Sequence, residues 1–483
     1  MHIQFVNAVL GGDFSALDIG ITQIATYINE RTKHKASILD LVFHRKHWKK
    51  HLKSGIEKHK PDIIGISTNT MYMQYVKTII KEIKEKYRIP VILGGHHASV
   101  YPEETLSIPE VDAVCIGDGE FALEEYLSRV EDGKSLEGIK GIWVKENKKL
   151  IRNPGGQFIE NIDRFPYPDW NLWEDLEKYF YFLGMLYIQG SRGCPYRCTY
   201  CDACGIKDAV GGEYFRLRNP IQFAGEIKYQ WDKYRNLDHP PRIAQLFDPV
   251  FTINEEWIEN FCGEYRNLGL HKEFRFSVFS RIDNLNEKKI KILGKSGCAI
   301  IRAGVECGNE RIRNEIYRKN ISNDKVREMF HLCRKAGIGF TAFYIIGGPG
   351  EDKRTIGETI EFARELDAER SAFFIYKPFT KEGVKQIKEC GGSVSPLRWK
   401  EADNITFGAV VRLKDVSPQK AENFQKIAYL LTFGKRFLRM LNQQKFKYFI
   451  RLFTYLFRGF YYGLDIKYLL TYYHIYSYDN VDK

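Results

Sequence analysis

MLYIQGSRGCPYRCTYC (185–201) is the stretch on which the architecture of this chain turns. Its first part, MLYIQGS (185–191), is apolar, ends in small residues and reads as a buried strand. The loop that follows, Gly193-Cys194-Pro195-Tyr196-Arg197-Cys198-Thr199-Tyr200-Cys201, spaces three cysteines as C-x3-C-x2-C. Three thiolates on one short loop can hold three irons of a 4Fe–4S cube and leave the fourth iron open to a ligand. Zinc normally takes four ligands, typically as two separated pairs. Cys201 and Cys204 do form C-x2-C, so a zinc site with Cys194 and Cys198 is the alternative, but no second pair follows at the usual separation. Cys115, Cys262, Cys298, Cys307, Cys333 and Cys390 are scattered, several of them in apolar strands or helices where they read as small core residues.

Downstream of the cysteine loop the apolar periodicity alternates between two and three to four. Further strands are expected at 242–248, 274–280, 299–306, 340–347 and 371–376, with helices at 220–234, 255–267, 286–296, 323–335 and 353–366. Six βα units predict a partial (β/α)6 TIM-type barrel over 181–385, because a full eight-unit barrel usually needs ~250 residues. Functional residues should then lie at the carboxyl ends of its strands.

Upstream, strands are expected at 2–8, 35–41, 62–68, 90–95 and 113–117, with helices at 19–32 and 73–87. Apolar strands separated by helices imply a doubly wound parallel sheet, a Rossmann-like domain over 1–135. Ligands of such sheets sit beyond the carboxyl ends of the strands. Those ends are small or polar: Ser67-Thr68-Asn69-Thr70, Gly94-Gly95-His96-His97 and Gly117-Asp118-Gly119-Glu120. Neither G-x-G-x-x-G after the first strand nor G-x-x-x-x-G-K-[ST] is present, which argues against a nicotinamide dinucleotide and against a P-loop. A connector, 136–180, contains a hairpin candidate, GIWVKENKKLIRNP (141–154), and FPYPDW (165–170).

The 483 residues are 44% hydrophobic and 28% charged, enough for several cores and too apolar for wholesale disorder. No run of 18 apolar residues predicts a membrane span, and the start lacks the basic and apolar regions of a secretion signal, so a cytoplasmic location is expected. The net charge of +12 is unevenly spread: residues 426–483 hold ten Lys/Arg against three Asp/Glu, together with 17 aromatic residues. Residues 386–483 are therefore read as a distinct basic, aromatic and mostly helical region. FGKRFLRMLNQQKFKYFIRLFTYLFRGFYYGL (433–464) has apolar residues at helical intervals with Lys and Arg between them. It reads as a helical cap on the barrel, with an interfacial helix touching anionic lipid as the alternative. Nucleic acid is not expected as a partner, because the charges are interleaved with apolar residues rather than forming a bare basic run.

The C-x3-C-x2-C loop after the first strand of a partial barrel, with Tyr200 before its last cysteine, resembles the radical S-adenosylmethionine superfamily. GGHHASVYPEETL (94–106) and VDAVCIGDGE (111–120) ahead of it resemble the branch that carries a cobalamin-binding domain. The resemblance implies Cys194, Cys198 and Cys201 as ligands of a 4Fe–4S cluster. It implies Asp248, at the end of the second strand, beside the methionine amino group, and Arg281, after the third, beside the methionine carboxylate. Glu306 resembles the ribose-contacting acid, and Gly348 in IGGPGE (346–351) the adenine-side backbone. Ser67, Thr68, Gly94, Gly95, His97, Gly117, Gly119 and Glu120 are expected around cobalamin. The familiar Asp-x-His-x-x-Gly is missing, since no His lies between His2 and His34, so a lower histidine ligand from the first loop is not expected.

The resemblance further implies a methylase acting on an unactivated carbon or phosphorus centre by way of a 5′-deoxyadenosyl radical and methylcobalamin. The alternative within the class is a non-methylating cyclase, rearrangement or C–C coupling enzyme. A zinc-stabilised nucleic-acid or lipid-binding protein is the alternative from outside it. The expected partners are a small, hydrophobic or lipid-like substrate and an electron donor such as flavodoxin or ferredoxin. No catalytic side chain is singled out.

Overall fold

The computed structural model describes residues 1–483 except 16, 147–148, 402–405, 443–445 and 477–483, and describes no side chains for 400–401, 435–442, 446–449 and 474–476. The chain divides into two compact units. The first comprises Met1–Leu176, Asp202–Arg216 and Tyr462–Leu464, and the second Glu177–Cys201, Leu217–Tyr461 and Asp465–Lys483.

In the first unit the expected strands form as β1 (His2–Asn7), β2 (Lys35–Asp40), β3 (Ile63–Ser67), β4 (Val91–Gly94) and β5 (Ala113–Cys115). They pair in parallel in the order β2-β1-β3-β4-β5. Their apolar runs are buried on both faces, as a parallel sheet covered by helices requires. The hairpin of the connector forms as well: β6 (Ile142–Glu146) and β7 (Lys149–Ile151) continue the same sheet antiparallel to β5, and residues 147–148 of its turn lie outside the described residues.

Helices cover this sheet because their apolar stripes match its faces. Met73–Lys86 buries Met73, Val76, Ile79, Ile80 and Ile83, a spacing that keeps one face on the core. At ~1.5–3 kcal/mol per fully buried large side chain, that stripe rather than helix propensity holds the element in place. Val91–Gly94 runs directly into a six-residue helix, Gly95–Val100, so His96 and His97 lie on a helix.

The second unit carries six parallel strands in sequential order: β8 (Met185–Ile188), β9 (Ile243–Leu246), β10 (Phe276–Ser280), β11 (Cys298–Glu306), β12 (Gly339–Ile346) and β13 (Arg370–Ile375). This is the partial barrel sheet. Its helices begin where the sequence offers caps: Asn219, Asn254, Asn286, Ser322 and Asp352 each accept a backbone N–H in the first turn. The C-terminal region is helical at Pro418–Asn442, Phe446–Tyr461 and Ile466–Tyr476.

Candidate active site

Cys194, Cys198 and Cys201 lie on the irregular loop after β8, half-buried and free of disulfides. Gly193 opens the loop at φ 80°, a conformation that costs a side-chain-bearing residue energy. The Cys201 N–H bonds the Cys198 carbonyl at 3.1 Å and folds the last two cysteines into one turn. Buried Thr199 pins that turn: its hydroxyl donates to the Ile316 carbonyl (2.7 Å), and its carbonyl accepts from the Thr380 hydroxyl (3.0 Å). An all-sulfur donor set on a loop pinned by hydrogen bonds suits an iron–sulfur cluster. Cys204, the fourth cysteine of the zinc alternative, lies on the helix Ala203–Ala209, which belongs to the first unit. The other cysteines behave as core: Cys115, Cys262, Cys298, Cys307 and Cys333 are buried, and burial pushes the Cys115, Cys262 and Cys333 thiols up to about 12.

Arg281 follows β10 and reaches back to this loop. Its Nη1 donates to Cys198 Sγ at 3.1 Å, and its guanidinium lies 3.9 Å from the Tyr196 ring centroid. Nε and Nη2 hold Asp283 at 3.0 and 2.8 Å, and Nη2 also donates to the Lys319 carbonyl at 2.9 Å. Of the five guanidinium N–H groups, four are thereby engaged, and one on Nη1 is left over for a ligand carboxylate.

Asp248 lies two residues past the end of β9. It is fully buried; Oδ1 accepts the Ser191 hydroxyl at 2.5 Å, while Oδ2 has no hydrogen-bond partner. Burial outweighs these bonds and pushes the carboxyl from its ordinary 3.8 to about 6. A carboxylate with an orphaned, buried oxygen is completed by a cationic donor, which is what the amino group of S-adenosylmethionine offers.

Glu306 ends β11 at φ 65°, in the left-handed region that a long side chain rarely adopts. Its Oε1 accepts from Lys319 Nζ at 2.7 Å and from the Tyr200 hydroxyl at 2.9 Å. Lys319 is itself buried, donates to the Gly304 carbonyl at 2.9 Å, and stands between Arg318 (φ 56°) and Asn320 (φ 55°). A Cβ on Gly304 would fall 1.7 Å from Glu306 Oε1, so a side chain there would displace this carboxylate. Sequence reading found Glu306 but missed Lys319, whose lone position among polar residues gives no periodic signal.

Gly348 sits in the turn after β12. Its N–H and that of Gly347 donate to Glu351 Oε2 at 2.9 and 2.7 Å. A Cβ on Gly348 would lie 1.9 Å from the Tyr317 hydroxyl, which is buried without a hydrogen-bond partner, as is that of Tyr376 stacked 6.4 Å away. Burial raises the Glu351 carboxyl to about 7, against the pull of its two backbone donors.

In the first unit, β3, β4 and β5 are neighbours, so their carboxyl ends lie side by side. Ser67 ends β3; the Thr68 N–H and hydroxyl both donate to the Gly94 carbonyl, at 2.8 and 2.7 Å. Gly95, at φ 86°, has no room for a Cβ, which would lie 2.8 Å from Thr68 backbone atoms. Gly94 is different: its φ is −131°, and a Cβ would meet only Cys115 at an ordinary 3.6 Å. Nothing inside the chain demands glycine there. Gly117 (φ 86°) and Gly119 are closed by Val210 and Ile24, and Glu120 begins the next helix buried. His97 is buried with Nδ1 3.1 Å from the Thr70 hydroxyl, and burial lowers its pKa. His96 is exposed, and its Nδ1 lies 3.2 Å from Asp202 Oδ2.

Comparison with known proteins places names on both units. Residues 3–127 match the B12 binding domain family, and residues 188–363 match the Radical SAM superfamily. An uncharacterized methyltransferase of Pyrococcus horikoshii is 27% identical over 85% of this chain and 86% of its own length. The anaerobic magnesium-protoporphyrin IX monomethyl ester cyclase of Rubrivivax gelatinosus is 25% identical over 72% of this chain, which spans only 61% of that relative. The structure of the radical S-adenosylmethionine methyltransferase TsrM from Kitasatospora setae, with cobalamin and a [4Fe-4S] cluster bound, superposes with a TM-score of 0.65 at 20% identity, covering 88% of this chain and 84% of that one. A B12 binding domain at 3–127 followed by a Radical SAM domain at 188–363 makes this chain a member of the radical S-adenosylmethionine enzymes that carry a cobalamin-binding domain.

Proposed function

We propose that this enzyme transfers a methyl group from S-adenosylmethionine to an unactivated carbon, or to phosphorus, of a small hydrophobic or lipid-like molecule. The observation that carries this reading is the pairing, in one chain, of the three-thiolate loop after β8 with the glycine-ended sheet edge around Gly94. When bound, the cluster with S-adenosylmethionine supplies one-electron cleavage of a sulfonium, and cobalamin supplies a methyl carrier.

The chain's own residues then have distinct tasks. Cys194, Cys198 and Cys201 hold the cluster, and Arg281 offsets the thiolate charge through Cys198 while its remaining Nη1–H takes the methionine carboxylate. Asp248 Oδ2 takes the methionine ammonium. Glu306, fixed by Lys319 and Tyr200, takes the ribose hydroxyls, and the turn at Gly348 borders the adenine. Ser67, Thr68, Gly94, Gly95, His97, Gly117, Gly119 and Glu120 form the corrinoid edge, with His97, whose Nδ1 lies 3.1 Å from the Thr70 hydroxyl, as a wall residue. Electrons come from a flavodoxin- or ferredoxin-type donor, and the work is done in the cytoplasm at the membrane face.

Incubation of the anaerobically reconstituted protein with methyl-labelled S-adenosylmethionine and cell lipid extract tests this. Label in a lipid-soluble product supports methylation. Formation of 5′-deoxyadenosine and an oxidised or cyclised product without label supports the second reading, a non-methylating enzyme, which the similarity to the Rubrivivax cyclase favours.

A further inference from the structure

Most exposed apolar side chains in a protein are scattered singly and need no explanation. Here they are concentrated. Among the described residues, ten of the fourteen large apolar side chains that are exposed lie between Ile427 and Leu470. Five of them, Ile450, Phe453, Phe457, Phe460 and Tyr461, belong to the single helix Phe446–Tyr461 and recur at intervals of three and four, so they share one face.

The opposite face is the one that packs. Tyr455 is buried with its ring 5.3 Å from Phe182 and 5.0 Å from Tyr473. Gly459 lies so close to Leu469 that a Cβ would fall 2.4 Å from it. On the same side, the Arg458 guanidinium is 4.4 Å from the Tyr181 ring centroid and its Nη1 is 2.9 Å from His239. The helix is therefore anchored by one side, while Phe453 and Phe457 are each 74% exposed and Tyr461 is 79% exposed on the other. The cap expected from the sequence accounts for the first face and leaves the second without a role.

We infer that this second face seats on an anionic bilayer surface. Charge decides the occupant. Residues 426–467 contain nine Lys/Arg and one acid, Asp465, in a segment whose apolar face is rich in Phe. Buried Phe beneath flanking cations is the composition of a helix lying in the headgroup layer. A second copy of this chain would bring the same excess of positive charge against itself, which disfavours self-association. No described helix is long and apolar enough to cross a membrane, so the contact is with one leaflet. The inference deepens the reading of a lipid-like substrate, because an enzyme seated on the leaflet meets such a molecule without extracting it through water.

The test uses the full-length reconstituted protein without substrate, so its outcome is independent of methyl transfer. Sedimentation is measured with vesicles of phosphatidylglycerol and phosphatidylcholine, and with phosphatidylcholine alone. The expected result is co-sedimentation with the anionic vesicles only, weakened by salt, and reduced by about tenfold or more in the Phe453→Glu, Phe457→Glu variant. In Phe457→Trp, which keeps the face apolar, emission shifts to the blue on anionic vesicles and is quenched by brominated acyl chains. A wild-type protein that stays in the supernatant, binds both vesicle types alike, or instead self-associates through the same two Phe residues overturns the inference. Labelled-product formation in the supernatant would then still stand, and loss of that product with intact vesicle binding would sink only the methylase reading.

Discussion

Lys319 Nζ stands 2.7 Å from Glu306 Oε1, and both side chains are at least nine-tenths buried. The pair is built on strained backbone, with Glu306, Arg318 and Asn320 all at positive φ. Such strain persists only where surrounding contacts hold it, and it tends to mark ligand sites. The carbonyl of Lys319 also receives Arg281, whose next bond is to Cys198, so Lys319 sits two hydrogen bonds from the Cys198 sulfur.

Removing one partner leaves the other charge buried without its counter-charge. Lys319→Met or Glu306→Gln is expected to cost ~3–5 kcal/mol in chemical denaturation, with the Lys319→Met, Glu306→Gln double variant recovering part of it. Additive losses in the cycle would show that the pair is not coupled.

Gly348→Ala places a methyl group on the Tyr317 hydroxyl. Overpacking of this kind costs ~1–3 kcal/mol. Tyr317→Phe removes the clashing oxygen and an unpartnered buried hydroxyl together, so the double variant is expected to regain most of the melting temperature. Failure of that rescue would mean that the turn needs glycine for another reason.

The Asp248 carboxyl has a folded-state pKa raised from 3.8 to about 6 by burial. The fold thus binds its proton more tightly than the unfolded chain does. The associated stability is fully present below pH 3.8 and is lost as pH rises through about 6. The loss amounts to ~3 kcal/mol. Unfolding of the ligand-free protein across that window is expected to show this slope, and Asp248→Asn is expected to flatten it. S-adenosylmethionine should restore stability above pH 6 in the wild type and less so in the variant.

Gly94→Ala separates the needs of the chain from those of its ligand. The new Cβ has only Cys115 at 3.6 Å, so stability without ligand is expected to change by less than ~1 kcal/mol while cobalamin retention falls. Gly95→Ala, at φ 86°, is expected to destabilise the protein even without cobalamin. Equal cobalamin binding by wild type and Gly94→Ala would remove Gly94 from the corrinoid edge.

Both sheets were legible in the sequence because their strands are buried on two faces and read as largely apolar runs, as FTAFYII in β12 illustrates. The cysteines were legible for a different reason: metal-site spacing is local, so C-x3-C-x2-C survives without any knowledge of tertiary contacts. What stayed hidden was long-range or strained. Lys319 reaches Glu306 across a π-helical turn at Ile312–Ile316 that no periodicity announces. The short helix at Gly95–Val100 begins on a glycine pair that reads as a loop. Arg281 was found by its place at a strand end, but its bond to Cys198 depends on the fold bringing residues 83 positions apart together.

The central claim is an iron–sulfur cluster held by three cysteines in a protein that also carries cobalamin. Iron and cobalt counts after anaerobic reconstitution, for the wild type and for the Cys194→Ala, Cys198→Ala, Cys201→Ala variant, test it most directly. The account predicts about four irons and about one cobalt per wild-type chain, with the iron lost and the cobalt kept in the variant. A variant that keeps its iron, or a wild type that takes up zinc and no cubane, would contradict it.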